Sequence, residues 1–146
     1  ILFSFFFLSA TVSAQTAEDS VKTTVNSLFT AMKNSDPVLL RSVFADSAIL
    51  QTIVRNKEGK TIVQTEEVSG FVDQISKLPK DAADERITID VVRVDGALAI
   101  VWTPYKFYFN GKFSHCGANS FQLVRINGAW KIQYLIDTRR RAGCEP

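Results

Sequence analysis

The chain has a single histidine, His115, in a C-terminal stretch that also carries Asn119, Tyr134, Asp137 and Arg139. An unperturbed imidazole titrates near neutral pH, so His115 is the side chain best suited to take or give a proton there. Asp137 is the matching carboxylate, and Tyr134 or Asn119 could donate to a developing oxyanion. Together they would serve proton transfer of an isomerase or dehydratase type. The competing reading is structural. His115 would then be buried, donating to a backbone carbonyl or to Asp137, while Asp137 and Arg139 orient a polar ligand or simply pair at a strand end. A second group points to binding. Trp102, Tyr105, Phe107, Phe121 and Tyr134 could line a pocket that stacks a planar molecule, or could pack an ordinary core. The sequence has no Gly-rich phosphate loop, Ser-His-Asp order or paired-carboxylate motif.

Cys116 and Cys144 are the only cysteines. An even pair in an exported chain predicts a disulfide, with two free thiols as the alternative. One His and two Cys cannot close a four-ligand zinc site. No metal and no other cofactor is expected.

Strands must position these residues. Asn110-Gly111 and Asn127-Gly128 each supply the two φ > 0 residues of a type I′ turn, which divides Lys106–Arg141 into three strands. Asp95-Gly96 is a third such turn, ahead of a long strand over Ala97–Phe109. Pro104 within that strand should mark a bulge or an edge, because it cannot donate to a neighbouring strand.

Helices come earlier. Asp19 or Ser20 caps a helix running to about Lys33, with Val21, Val25, Leu28, Phe29 and Met32 on one stripe. Asp36-Pro37 opens a second short helix whose apolar residues are Leu39, Leu40, Val43 and Phe44. Ala48–Arg55 and Thr61–Thr65 read as a strand and its return. Glu66–Leu78 reads as a third helix, weakened by Gly70 and ended by Pro79. Lys80–Asp84 is a charged connection, and from Glu85 the chain is β in character. Ile87, Ile89, Val91 and Arg93 should share one face there, with Thr88, Asp90, Val92 and Val94 on the other. The order α-α-β-β-α-β-β-β-β suits an α+β domain with helices on one face of a curved sheet.

The turn at Asn127-Gly128 makes Ile126 and Ala129 neighbours. Continued without a break, that register pairs Leu123 with Ile132, Phe121 with Tyr134, and Asn119 with Ile136. The turn at Asn110-Gly111 likewise sets Trp102 opposite Asn119 and Lys106 opposite His115. A bulge at Pro104 would instead turn Tyr105 and Phe107 inward. Val101, Val124 and Leu135 are then candidates for an apolar outer face that could make a homodimer.

With 17 basic and 15 acidic residues in 146, the formal charge is +2, which points neither to nucleic acid nor to a membrane surface. Arg139-Arg140-Arg141 is the local exception and reads as a solvated charged tail. The first residues, ILFSFFFLSATVSA, are apolar, uncharged and end in small residues. They read as a signal peptide cleaved after Ala14. No Met or basic segment precedes them, so the leader is expected to be N-terminally incomplete. Residues 15–146 then form one exported domain, secreted or periplasmic, with no stable membrane span once the leader is removed.

The helix-helix-strand order, the late meander and the segment GKFSHCGANSFQLVRINGAWKIQYLIDTRR (Gly111–Arg140) resemble the nuclear transport factor 2-like (NTF2-like) superfamily. The chain looks most similar to its secreted bacterial SnoaL-like and putative lumazine-binding branch. The likeness covers about Ala17 to Arg141. It implies a cone-shaped α+β barrel, a strongly curved and mostly antiparallel sheet wrapped around about three N-terminal helices, with an apolar pocket at one end. It implies a small-molecule binder as readily as an isomerase, a dehydratase or a dimerisation module, and the chain matches no full catalytic set of such enzymes. The leading expectation is an exported protein that binds a small apolar or aromatic molecule, with Trp102, Tyr105, Phe107, Asn119, Phe121, Tyr134 and Arg139 around the ligand. Proton transfer through His115 and a homodimeric interaction module are the alternatives.

Overall fold

The computed structural model describes residues 15–144; the leader expected over residues 1–14 lies outside them. Helix α1 (Ala17–Asn34) starts earlier than Asp19 or Ser20 would allow. Its N-cap is Thr16, whose hydroxyl accepts from the Asp19 amide at 3.1 Å. Glu18 and Asp19 instead occupy the first turn, where acidic groups suit the helix dipole. Val21, Val25, Leu28, Phe29 and Met32 are all buried, as their spacing requires. Helix α2 (Pro37–Ser42) is capped by Asp36, which accepts from the Val38 and Leu39 amides at 3.1 and 3.0 Å. Phe44, expected in that helix, begins strand β1 (Phe44–Arg55).

Strand β2 (Thr61–Glu66) returns beside β1, and α3 (Val68–Ser76) is shorter than the apolar pattern suggests. Five strands follow rather than four: β3 (Ala83–Ile87), β4 (Val91–Asp95), β5 (Leu98–Phe109), β6 (Lys112–Ile126) and β7 (Ala129–Thr138). The sheet runs β2-β1-β7-β6-β5-β3, with β4 also on β5; β1 and β7 are parallel and every other pair is antiparallel. Among the described residues β2 lies at one edge and β3 and β4 at the other, so the sheet stays open instead of closing into a barrel. The fold is α+β, as expected. Among the described residues no helix is long and apolar enough to cross a membrane.

The two Asn-Gly turns form as type I′ turns require, with Asn110, Gly111, Asn127 and Gly128 all at positive φ, whereas the third turn is Gly96-Ala97 and only Gly96 has positive φ. The registers beyond the Asn-Gly turns do not continue unbroken, because single-residue bulges intervene. Between β5 and β6 the pair Tyr108–Phe113 is followed by Phe107–His115, so Ser114 is extra. Trp102 therefore faces Ser120 and Lys106 faces Cys116, not Asn119 and His115. This bulge, rather than one at Pro104, turns Tyr105 inward. Between β6 and β7 the extra residue is Gln133. Leu123 still faces Ile132, but Phe121 then faces Leu135 and Asn119 faces Asp137.

A third irregularity explains the split into β3 and β4. The Asp90 amide donates to Trp102 O at 3.0 Å, while Val91 is also the pairing partner of Trp102. Two residues oppose one, and the alternation of faces inverts. Ile87 and Ile89 pack on the core, and so do Val92 and Val94 rather than Val91. The Pro104 carbonyl, which accepts from Thr88, borders this break. Pro104 thus sits where the lack of an N–H costs little.

The core lies between α1 and the concave face of the sheet. Phe121, Leu123 and Ile132 are completely buried there, and the Phe29 ring meets Phe121 edge-to-face at 6.2 Å. Val101 and Leu135, expected on the outer face, belong to this inner side. Exposed on the outside are Ile49, Ile100 and Trp102 instead.

Candidate functional site

The same concave face changes character toward the end of the sheet where β1 and β7 finish. Leu50, Leu123 and Ile132 give way to Thr52, Thr103, Asn119 and Asp137. Here α1 and α3 stand off the sheet and leave a cleft. Its inner chamber, about 80 Å³, lies between Leu28, Phe29, Met32 and Leu135 and a floor of Thr52, Glu85, Asn119, Asp137 and Arg139. Its outer chamber, about 540 Å³, has walls of Phe71, Ile75, Leu78, Tyr105, Phe107 and His115. Glu66, Glu85, Asp137 and Arg139 border both chambers, which makes them one cleft with an apolar wall and a polar floor. That composition is the usual one for small-molecule sites.

The floor is tightly wired. Asp137 is buried and accepts from Thr52 Oγ1 at 2.6 Å, Arg139 Nε at 3.0 Å and Tyr105 Oη at 3.1 Å. The Tyr105 hydroxyl also lies 2.8 Å from Thr138 O. Arg139 reaches Thr52 Oγ1 through Nη2 at 3.1 Å. Asn119 donates through Nδ2 to Glu85 Oε1 at 2.8 Å and to Thr103 Oγ1 at 3.2 Å. Thr52 and Arg139, with the Tyr105 hydroxyl beside them, hold the Asp137 carboxylate in place.

Glu85 is the floor's unusual acid. Burial raises its pKa to about 7; the Asn119 hydrogen bond and Arg139 work against that rise, and the Asp137 charge adds to it. A carboxyl poised there exists in both forms at neutral pH and can donate or accept. Burial, with the Asp137 and Glu85 charges, pushes the Tyr105 phenol up, so it stays a neutral hydroxyl. Burial lowers the His115 pKa, the Arg139 and Arg141 charges lower it further, and Asp137 opposes them. The imidazole is therefore mainly neutral at pH 7. Its Nδ1 lies 3.0 Å from Ser114 Oγ, and its ring stacks obliquely on Phe107 at 5.0 Å. Burial works against the charge of Arg139, but Asp137 beside it more than restores that charge.

Of the residues singled out from the sequence, His115, Asp137, Tyr105, Phe107, Asn119 and Arg139 meet in this cleft. Three do not. Trp102 is exposed on the outer face, because the Ser114 bulge shifts its register. The Gln133 bulge sends Tyr134 to the outer face as well, where its hydroxyl donates to Gln51 Oε1 at 2.7 Å. Phe121 faces inward but is wholly buried against Phe29, in the core rather than on the cleft wall. Cys116 and Cys144 form a disulfide.

Sequence reasoning missed Glu85. Its signal was the alternation Ala83, Glu85, Ile87, Ile89, an acid in line with inward-facing apolar residues. It also missed Gly117. A Cβ on Gly117 would stand 1.9 Å from Thr138 O and 2.9 Å from the Tyr105 ring. Only glycine lets the Tyr105 ring cross β6 to reach Asp137.

A family model described as "Putative lumazine-binding" matches residues 16–134. No curated protein matches the chain. Solved structures similar in fold include an NTF2-like protein of unknown function from Shewanella baltica, with a TM-score of 0.64 at 14% identity, covering 84% of this chain and 93% of that one. Another NTF2-like protein of unknown function, from Silicibacter pomeroyi, has a TM-score of 0.62 at 17% identity, covering 83% and 93%. A domain of unknown function with a cystatin-like fold from Nostoc punctiforme has a TM-score of 0.66 at 18% identity, covering 89% and 82%. At such identities the likeness concerns the fold.

Proposed function

The chain belongs to the putative lumazine-binding family of NTF2-like proteins, and from that premise we propose that it is an exported protein that binds a small, planar, largely apolar molecule. The observation that carries this reading is the cleft, an aromatic wall of Phe71, Tyr105, Phe107 and His115 over a floor of few, fixed polar groups. Aromatic side chains offer a stacking surface, and Glu85 with Asn119 offers a polar edge that fixes the ligand's orientation. The Cys116–Cys144 disulfide and the apolar leader sequence support export to an oxidising compartment.

Native and denaturing mass spectra of protein made in a bacterial periplasm test this reading. The expected result is an added mass in the native spectrum only, or, for protein isolated empty, calorimetric binding of lumazine as a bicyclic probe. An empty protein that binds neither lumazine nor other flat aromatic molecules overturns it.

One observation favours a second reading, proton-transfer catalysis. Glu85, with its pKa near 7 on the cleft floor, suits that work better than His115, which is held neutral and packed on Phe107. Turnover of an enolisable cyclic ketone lost in Glu85→Gln but kept in His115→Gln would support it. Equal turnover by wild type and Glu85→Gln would remove it.

A further inference from the structure

The three arginines that close the sequence's last strand look like a solvated tail, but the fold does not leave them loose. Beyond β7, Arg140 pairs with Cys116 through two backbone hydrogen bonds of 2.9 and 3.0 Å. The Cys116–Cys144 disulfide ties down the far end of the segment. Arg140 also folds back through Nη1 onto the carbonyls of Ala142 and Gly143. The segment is thereby fixed against the end of the sheet.

What it builds is a basic depression. Arg139, Arg140 and Arg141 border it with Arg55 from the end of β1, together with His115 and Thr61, and among the described residues no carboxylate lines it. Arg139 is paired with Asp137. Among the described residues, Arg55, Arg140 and Arg141 have no carboxylate within salt-bridge distance. Arg55 and Arg141 are exposed, so their charges stand available to an anion from solution. The basic charge of the segment reaches His115, whose protonation both Arg139 and Arg141 disfavour.

This depression adjoins the cleft. His115 and Arg139 line both it and the outer chamber. The outer chamber of about 540 Å³, apolar on its wall and with Glu66, Glu85 and Asp137 at its polar side, thus meets a collar of guanidinium groups. Guanidinium groups match planar or tetrahedral oxyanions in geometry as well as in charge.

We propose that the protein selects amphipathic anions, the carboxylate or phosphate head resting among Arg55, Arg139 and Arg141 and the apolar body lying in the cleft. The inference deepens the binding reading above and rests on it. The disulfide and the Cys116–Arg140 bridge fix the backbone that carries Arg139 to Arg141, so the ordering left on binding is that of the side chains.

A matched pair of probes tests it, 2-naphthoate and its neutral counterpart 2-naphthalenemethanol, titrated calorimetrically into the folded protein at low and high salt. Wild type should hold the acid about tenfold more tightly than the alcohol, as a charge-assisted contact provides. The difference should shrink with salt and vanish in Arg55→Ala/Arg141→Ala, while affinity for the alcohol is unchanged. Both arginines are exposed, and an unchanged melting temperature verifies that this variant is folded. Equal affinity for acid and alcohol in wild type overturns the inference and leaves the cleft a binding site. Binding of neither overturns both. Sedimentation with phosphatidylglycerol vesicles that 2-naphthoate cannot compete away would assign the arginines to a lipid surface and also overturn it.

Discussion

The two halves of the concave face are made by the same strands and covered by the same helix, yet one is dry and the other polar. In the dry half Phe121, Leu123 and Ile132 are completely buried under α1, and the Phe29 and Phe121 rings interlock. In the polar half Thr52, Thr103, Asn119 and Asp137 hold the same inward positions, and a cleft replaces the packing. The dry half is stabilised by removing apolar surface from water. The polar half persists because its groups satisfy one another; among the described residues no buried side-chain nitrogen or oxygen lacks a partner. A sheet can therefore carry core and site side by side, provided the boundary between them is sharp. Here it falls near the Gln133 bulge, beyond which Leu135 and Asp137 face inward in place of Tyr134 and Ile136.

The largest effect should come from breaking the dry half. Phe121→Ala removes a wholly buried ring and leaves a cavity, at a cost of about 3–5 kcal/mol in chemical denaturation. A loss under about 1 kcal/mol would mean that the core is loosely packed. Gly117→Ala strikes the polar half next. The new Cβ cannot coexist with Thr138 O, so either the Tyr105 tether or the end of β7 must move. A destabilisation of about 2–3 kcal/mol is expected, with loss of cleft binding in whatever fraction folds. Binding that survives intact would show that the Tyr105–Asp137 contact is dispensable.

Glu85→Gln sharpens the comparison, because its sign is reversed. Glu85 has a folded pKa of about 7, above its ordinary value of 4.5. Below about pH 4.5 both states are protonated and the group costs nothing. As pH rises toward 7 the unfolded chain ionises first, so wild-type stability falls, and above 7 the deficit is constant. Glutamine keeps the acceptor for Asn119 and removes that deficit. The variant should match wild type near pH 4 and exceed it above pH 7, by up to about 3 kcal/mol. Unfolding curves that run parallel at every pH would show that Glu85 is not held in its neutral form. The smallest effect is expected from Trp102→Ser. Trp102 is 43% exposed on the outer face, away from the cleft. Probe binding should be unchanged and stability lowered by about 1 kcal/mol, the strand propensity and cross-strand packing that serine gives up. A large loss of binding would return the indole to the site.

The sequence by itself determined the three helices, the strands flanking the Asn-Gly pairs and the two turns between those strands. Asn-Gly pairs specify tight hairpins because they supply two left-handed residues at little strain, Asp36-Pro37 specifies a helix start, and the apolar stripe of α1 has one reading only. These are local signals, carried by residues a few positions apart. The resemblance of the C-terminal stretch added the fold and the family. Which side chains meet was decided by tertiary structure. Three one-residue bulges, opposite Trp102, at Ser114 and at Gln133, each move the following residues to the other face. They removed Trp102 and Tyr134 from the cleft and placed Asp137 opposite Asn119. A bulge forms to suit curvature and packing against distant elements, so no short stretch announces it. Glu85 was hidden for a related reason. Its pKa depends on burial, on Asn119 34 residues away in sequence and on Asp137 further still, and that environment exists only once the strands are assembled.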